Sequence, residues 1–259
     1  MIKSFFSKLK KYRYLMVELV KKDIKLKYRN SYLGVIWTLL EPLLTMVVLT
    51  VVFSHLLGKG TKDFPVYILT GRLLYSYFSN ATKTALTSIR KNGAMIKKVY
   101  VPKYMYPLAG VLSNYVMFLI SLIVLAGVAI LRGVYPTKYL LLGIFPLAQV
   151  LVLALGVGMI LATAAVFFRD LEYLWGVALM LIMYASAIFY QIDHVMTPEN
   201  AWIFKLNPLY AVIVNFRNAV FGMPFDMVAF WYASGVSLVL LLCGSVAFYK
   251  KQDHFVLYI

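Results

Sequence analysis

The sequence predicts an all-α integral membrane protein with six transmembrane helices, an N-terminal amphipathic interfacial helix, a short cytoplasmic helix and an outer re-entrant hairpin. Hydrophobic residues make up 62% of the 259 residues and charged residues only 14%, against roughly a quarter in soluble domains. Too little polar surface remains to coat a water-soluble globule, and apolar stretches long enough to cross a bilayer recur along the chain. Lysine and arginine are concentrated between particular stretches, as in cytoplasmic loops.

This charge distribution and the rare cysteine and histidine residues exclude several classes of protein. The positive charge, +16 net, is concentrated in particular inter-helix segments and is not spread over a face, so we expect no nucleic-acid partner. The single Cys243 excludes a disulfide framework within the chain. His55, His194 and His254 lack ligand spacing, so no metal site is expected. Residues 1–33 lack the apolar core of about 7–15 residues that a cleavable signal peptide needs.

The chain divides into a basic amphipathic helix, residues 1–33, and a six-helix transmembrane domain, residues 34–259. The spans are expected at 35–57, 65–88, 108–131, 139–167, 173–190 and 227–249. Residues 1–33 contain ten Lys and Arg, and the loop 90–106 contains five and no acid. These two segments are therefore predicted to be cytoplasmic, and six spans place both termini on that side.

The N-terminal helix is predicted to lie on the membrane surface. Leu15, Leu19 and Ile24 recur at helical steps on one side, and the cations fall on the other. The residues expected to anchor it at the headgroups are Lys22, Lys25, Lys27, Arg29 and Trp37. Membrane anchoring is the simpler interpretation, and a specific contact with a partner protein is the alternative.

Two local features concern the first and fourth spans. Glu41 lies inside the first span before the kink-inducing Pro42, and a carboxylate there should face protein or water. It is either an interfacial residue satisfied by a neighbouring cation or part of a transport path. Gly156 and Gly158 in the fourth span allow another helix to approach closely.

The second span carries a polar stripe on one helical face, because its members recur at steps of three and four. The members are Arg72, Ser76, Ser79, Lys83 and Thr87, and Asn80 and Thr84 widen the stripe. A helix with such a face must line a protein interior or a wet path. Since the segment contains no acid, the stripe suits a path for an anionic substrate. The alternative is a buried helix whose two cations snorkel to opposite interfaces.

The basic loop 90–106 is predicted to contain a short helix. Asn92 can cap this helix, and Met95, Ile96 and Val99 project together from it. Exposed apolar residues on a cytoplasmic helix indicate docking into a partner's groove. A helix resting on the headgroups is the alternative.

A re-entrant hairpin is predicted between the last two spans, at 198–222. Its apolar pieces 201–206 and 210–220 are too short to cross a bilayer and are separated by Asn207-Pro208.

The chain lacks the motifs of an enzyme. It has no GxxxxGK[ST] phosphate-binding loop, so any ATP must be bound by another polypeptide. It also has no metal-ligand cluster and no nucleophile elbow. We therefore expect it to form a path for a transported molecule.

Four sequence pieces resemble a known family when taken together, in this order and at this chain length. They are Lys27-Tyr28-Arg29 with Ser31, Leu33, Gly34, Trp37 and Pro42; Ile96-Lys97-Lys98-Val99 with Pro102; Phe168-Arg169-Asp170-Leu171; and Asn207-Pro208 with Arg217. The chain resembles the permease subunit of ABC exporters for polysaccharides and polyol phosphates, which include O-antigen, teichoic-acid and capsule systems. The Arg169-Asp170 turn favours the O-antigen and teichoic-acid branch.

This resemblance implies a homodimer in the bacterial cytoplasmic membrane with two ABC ATPase subunits beneath it. ATP and Mg²⁺ would bind to the ATPase, and this chain would hold no cofactor. The helix at 92–99 would be the coupling helix seated in the ATPase, with the N-terminal amphipathic helix beside it. The turn that follows the fourth span either pairs its own charges or contacts the partner. The residues expected at this contact are Asn92, Met95, Ile96, Lys97, Lys98, Val99, Arg169 and Asp170.

The cargo that the resemblance implies is a glycan on an undecaprenyl diphosphate carrier, and the cationic stripe would suit its diphosphate. Aromatic rings offer flat apolar faces to sugar C–H groups. The residues expected along the substrate path are Arg72, Ser76, Ser79, Lys83, Tyr75, Phe78, Tyr184, Phe189 and Tyr190. Interfacial belts and core packing are the alternative role for these aromatics.

Three other functions are weighed against this one. An ABC permease for a drug or a small lipid would share the coupling loop but need no wide aromatic path. A membrane-embedded lipid-sugar enzyme would need an acidic or histidine constellation at one interface. An ion channel would need a selectivity filter, and none is recognisable.

Overall fold

The computed structural model describes residues 12–29, 31–56, 63–98, 101–190 and 201–258, and these ranges contain helices and connecting turns but no β-strand. The α-helices, in chain order, are α1 (Arg13–Tyr28), α2 (Trp37–Leu56), α3 (Phe64–Lys91), α4 (Gly93–Lys98), α5 (Met105–Leu131), α6 (Ile144–Phe167), α7 (Leu171–Tyr184), α8 (Ala201–Lys205), α9 (Pro208–Phe221), α10 (Met227–Lys251) and α11 (Phe255–Tyr258). Short 3-10 segments precede α2, α6 and α11 at Gly34–Ile36, Lys138–Gly143 and Gln252–His254.

Several of these helices have the length and composition of membrane spans. Four helical stretches meet both criteria within the described residues: Gly34–Phe53, Met105–Leu131, Lys138–Phe167 and Met227–Tyr258. Helix α3 is long enough, with 28 residues, but its polar residues lower its hydropathy. Helix α7 has 14 residues, fewer than the roughly 20 that a perpendicular span needs. The protein is therefore an all-helical, multi-pass membrane protein, and the number of six spans stays a prediction.

The predicted fifth span, 173–190, is wrong in its C-terminal part. Helix α7 ends at Tyr184, and residues 185–190 continue as buried turns in which Ala187 and Ile188 have no exposed surface. Ala187 adopts a φ of 46°, a left-handed conformation that an α-helix cannot contain. The carbonyl groups of this turn therefore do not form α-helical hydrogen bonds, and they accept hydrogen bonds from side chains distant in sequence.

Helices α3 and α6 form the centre of the bundle. Of the most apolar 18-residue stretch in each span, 61% is buried in the span that contains α6, but only 11% in the span that contains α2. The predicted close approach at the two glycines is confirmed. A Cβ added at Gly156 would lie 2.6 Å from the backbone nitrogen of Leu241 in α10, and one at Gly158 would lie 2.9 Å from Cβ of Ala85 in α3.

One end of the bundle, here the basal end, brings together α1, α4 and the C-terminal segment around a hydrophobic cluster. This basal cluster consists of Leu19, Ile89, Met105, Tyr106, Ala109, Met159, Ala162, Val166, Phe248 and Phe255. The apolar side of α1 packs against it through Leu15, Leu19 and Val20. That side of α1 is therefore covered by protein, and its cations remain exposed.

The end of the bundle opposite to the basal end contains α8 and α9. The side-chain Oδ1 of Asn207 accepts a 3.0 Å hydrogen bond from the backbone nitrogen of Leu209, and Pro208 occupies the first helical position of α9, a position that tolerates its missing N–H. Gly222 ends α9 with a φ of 70°. Residues 191–200 of the predicted outer connection lie outside the described residues, and its re-entrant insertion stays a prediction.

Candidate functional site

The polar stripe of α3 is divided between the open side of the helix and its packed side. Arg72 and Ser76 are half-buried and Lys83 is exposed, whereas Ser79 and Thr87 are each only 7% exposed. Asn80 and Thr84, which also lie on this helix, are exposed and half-buried. The open polar side of α3 therefore includes Asn80 and Thr84, which widen the predicted stripe, and leaves out Ser79 and Thr87.

A cleft between α2, α3 and α5 lies along the part of this open side that contains Arg72, Ser76 and Asn80. The polar residues that line this polar cleft include Lys27, Glu41, Arg72, Ser76, Asn80 and Asn114. The cleft holds about 70 Å³ of water-accessible space, several times the 10–15 Å³ or so that one water molecule occupies by the same measure. It can therefore hydrate its charges.

The cleft is not purely cationic, contrary to what the stripe on the second span predicts, because Glu41 also lines it. The second span contains no acid, but the neighbouring α2 brings a carboxylate to the cleft that Arg72 and Lys27 also line. Among the ion pairs of the described residues, none joins Glu41 to either cation within 4.0 Å. Arg72 instead lies 5.8 Å from the ring centre of Tyr75. The cleft therefore contains both signs of charge, which a sequence pattern within one helix could not indicate.

The predicted aromatic residues do not gather on the open side of α3. Tyr75 donates a 2.9 Å hydrogen bond to the carbonyl of Leu179, and Phe78 packs edge-on against Trp175 at 6.3 Å. Both residues are buried and face α7. Within this chain they have the core-packing role that the sequence left open as the alternative.

The remaining aromatics lie around the buried turn 185–190. Phe189 is 7% exposed and stacks on Phe53 with ring centres 5.3 Å apart. The hydroxyl of Tyr190 donates to the carbonyl of Tyr184, whose own side chain is exposed. None of these three residues is among those that line the polar cleft.

The buried turn is held by Arg217, a residue that the sequence marked only as part of a motif. Arg217 is 6% exposed, and its guanidinium donates to the carbonyls of Ala187 (3.0 Å), Ile188 (3.3 Å) and Tyr67 (3.3 Å). Its central carbon lies 3.6 Å from the ring centre of Tyr67. Gly71 makes room for it, since a Cβ there would lie 2.7 Å from Nη2. One side chain thus ties α9 to α3 and to the turn after α7.

The basal end presents a charged platform around α4. Ile96 packs against the basal cluster, whereas Met95 is 39% exposed and Lys97 and Lys98 are exposed. Met95 and Ile96 therefore do not form one exposed apolar face as predicted: consecutive residues of a helix are about 100° apart, and Ile96 rests on the cluster while Met95 is on the more open side. Val99 lies outside the described residues.

Asn92 connects three helices at this platform. Its side-chain Nδ2 donates a 2.8 Å hydrogen bond to the carbonyl of Ser88, and its Oδ1 accepts one of 3.4 Å from Nζ of Lys22. The predicted side-chain cap on α4 is therefore wrong. The Asn92 side chain caps the C-terminal end of α3, and α4 begins with hydrogen bonds from the backbone nitrogens of Met95 and Ile96 to the Asn92 backbone carbonyl.

The turn between α6 and α7 contributes a further contact at this end. Glu172 forms an ion pair with Arg90 at the end of α3. Arg169 and Asp170 are exposed, and neither takes part in the ion pairs found among the described residues. The predicted anchor residues Lys25, Lys27 and Arg29, at the end of α1, are exposed as well. The fifth anchor residue, Trp37, is 40% exposed.

Known proteins match this sequence over nearly the whole chain. The sequence profile of the ABC-2 type transporter family matches residues 14–221. The O-antigen export system permease protein RfbA of Klebsiella pneumoniae is 28% identical over 246 residues, which cover 93% of each chain. The RfbA of Myxococcus xanthus is 28% identical over 94% of this chain and 95% of its own. The polysialic acid transport protein KpsM of Escherichia coli is 24% identical over 90% and 91%. The chain therefore belongs to the ABC-2 type transporter family.

Proposed function

We propose that this chain is the membrane permease of an ATP-driven exporter that moves a lipid-linked polysaccharide, such as O-antigen or teichoic acid, across the bacterial cytoplasmic membrane. The observation that carries the proposal is the similarity to O-antigen export permeases over 93% of both chains. Two copies of the chain would form the path, with both termini and the basal end in the cytoplasm and six spans per copy.

Two ABC ATPase subunits would bind at the basal end and supply ATP and Mg²⁺, since this chain contains no phosphate-binding loop. The exposed side of α4, with Met95, Lys97 and Lys98, has the apolar and cationic groups that docking into a groove requires. The exposed Arg169 and Asp170 lie in the neighbouring turn. The anchor cations of α1 would contact anionic headgroups at the same level.

The carrier diphosphate would be attracted to the open side of α3. Arg72 and Lys83 supply the charge there, and Ser76 and Asn80 supply hydrogen-bonding groups. The passage for the glycan would form between two copies of the chain.

Purification of the chain together with an ABC ATPase from the same genome tests this function. In proteoliposomes, we expect undecaprenyl diphosphate-linked glycan to stimulate ATP hydrolysis by the complex. Stimulation by a drug or small lipid, but by no lipid-linked glycan, would contradict the proposed cargo. Failure to bind any ATPase would contradict the transporter itself.

A matched pair of lysine variants tests the stripe. Lys83→Met removes a charge on the open side of α3 and should lower glycan-stimulated hydrolysis by about tenfold, the size of a lost charged hydrogen bond. Lys138→Met makes the same change at an exposed lysine before α6 and should leave hydrolysis unchanged. Equal effects of the two variants would show that the position of Lys83 has no special role.

A further inference from the structure

The C-terminal segment Gln252–Tyr258 folds back onto the basal end of the bundle. Phe255 has no exposed surface and packs edge-on against Phe248 at 5.1 Å and Phe167 at 5.9 Å between ring centres. Tyr258 also contacts Phe167, at 5.0 Å. A segment of seven residues that buries an aromatic ring this completely is a fixed part of the fold, because Phe burial is among the largest apolar contributions of one side chain.

This segment meets α4 through shared packing. Phe255 and Ile96 belong to the same basal cluster, Phe255 as a buried member and Ile96 as a half-buried residue packed against it. Helix α11 is in direct contact with α4. The side of α4 that faces the bundle therefore rests on a surface to which the C-terminal segment contributes.

Hydrogen bonds hold the chain on both sides of α4. Before it, Lys22 of α1 donates to Asn92. After it, Nζ of Lys103 donates a 2.6 Å hydrogen bond to the backbone carbonyl of Gln252. The C-terminal segment thus fixes the connection from α4 to α5, and α1 fixes the connection from α3 to α4.

We propose that Gln252–Tyr258 is a positioning element that seats the coupling helix α4, so that motion of the ATPase is passed to the bundle instead of being lost in a loose loop. This inference rests on the proposed function, because it assigns α4 to the ATPase contact. A helix of six residues is too short to be stable by itself, so its orientation depends on what it packs against. Phe255 is the residue that supplies this support from the C-terminal side.

Phe255→Ala tests the proposal, with Leu257→Ala as the matched control, since Leu257 lies on the same segment but is 78% exposed. We expect the Phe255→Ala complex to assemble and to keep its basal hydrolysis, while substrate stimulation falls about tenfold, within the range of measured couplings between sites. Phe255→Leu should restore most of the stimulation, because it refills the site with an apolar side chain. Wild-type stimulation in Phe255→Ala would overturn the proposal, as would an equal loss in Leu257→Ala, which would indicate direct contact with the ATPase.

Two further measurements keep the proposal testable. If Phe255→Ala does not assemble, Lys103→Met decides: reduced stimulation supports the seating role, and wild-type stimulation overturns it. Met95→Cys, in a Cys243→Ala background, reports on α4 without any ATPase. Its reaction with a maleimide should be faster in Phe255→Ala than in Leu257→Ala, and equal rates would overturn the proposal. A wild-type chain that binds no ATPase would contradict the proposed function while leaving this last comparison intact.

Discussion

Replacement of Arg217 by methionine should destabilise the protein by about 3 kcal/mol, as the hydrogen bonds of the guanidinium indicate. The carbonyl of Tyr67 keeps a 2.8 Å bond from Thr70, and that of Ala187 keeps a long, 3.5 Å bond from the Tyr67 hydroxyl, so the loss falls mainly on Ile188. Each buried acceptor left unpaired costs about 1–3 kcal/mol, and loss of the stacking on Tyr67 adds about 2 kcal/mol. Relief from burying a charge returns part of this sum.

The assay is unfolding of the detergent-solubilised chain by SDS titration, followed by tryptophan fluorescence. Arg217→Lys should recover less than half of the loss, because a lysine ammonium lacks the planar fork that reaches several carbonyls at once. Arg132→Met is the matched control, since Arg132 is exposed. A variant at position 217 as stable as wild type, or a control equally destabilised, would refute the reasoning.

A double-mutant cycle with Gly71 tests the same contact independently of hydrogen-bond energies. Gly71→Ala places a Cβ 2.7 Å from Nη2 of Arg217 and should destabilise the wild type by about 1–3 kcal/mol, the usual range for overpacking. In the Arg217→Met background, the same change meets a shorter, uncharged side chain. We expect its cost there to fall below about 1 kcal/mol, and additive costs would mean that the two residues do not interact.

The remaining predictions concern packing, pH and topology. Gly156→Ala should destabilise by about 1–3 kcal/mol, because its Cβ would meet the backbone of α10, whereas Gly127→Ala, in open space, should be neutral or stabilising; equal thermal stabilities of the two would contradict the close helix contact. Burial raises the pKa of the Asp23 carboxyl in α1, outside the spans, so the folded state retains its proton to higher pH than the unfolded state. Wild-type stability should then fall relative to Asp23→Asn as pH rises from about 3.9, the unfolded pKa, and parallel pH curves would refute this. A cysteine at position 95 should react with an impermeant maleimide in inside-out vesicles and not in intact cells, and labelling of intact cells would reverse the proposed orientation.

Local sequence patterns predicted the helices well because hydropathy and length act within one segment. The span predicted at 108–131 corresponds to α5, Met105–Leu131, and that at 227–249 corresponds to α10, Met227–Lys251. The fifth span failed because its last residues are as apolar as the helix before them. Only the φ of Ala187 and its distant hydrogen-bond partners distinguish that turn from a helix.

The candidate site was predicted less completely than the helices. The stripe on α3 follows from helical periodicity, so Arg72, Ser76 and Lys83 could be found by spacing. Which members are open depends on the packing of α2 and α5, and this packing also brings Glu41 to the cleft. Asn92 and Ile96 lie in the predicted loop, but their contacts come from α1 and the C-terminal segment.

The amino-acid order alone established a basic, helical membrane protein with a short helix in its most cationic loop, because those properties depend on residues within about twenty positions of one another. The tertiary structure decided how the buried charge of Arg217 is satisfied and how α4 is supported. Arg217 and the Tyr67 carbonyl are 150 residues apart, and Lys103 and the Gln252 carbonyl are 149 apart. Such bonds join backbone carbonyls, which every residue possesses, so no side-chain pattern marks the acceptor until the chain has folded.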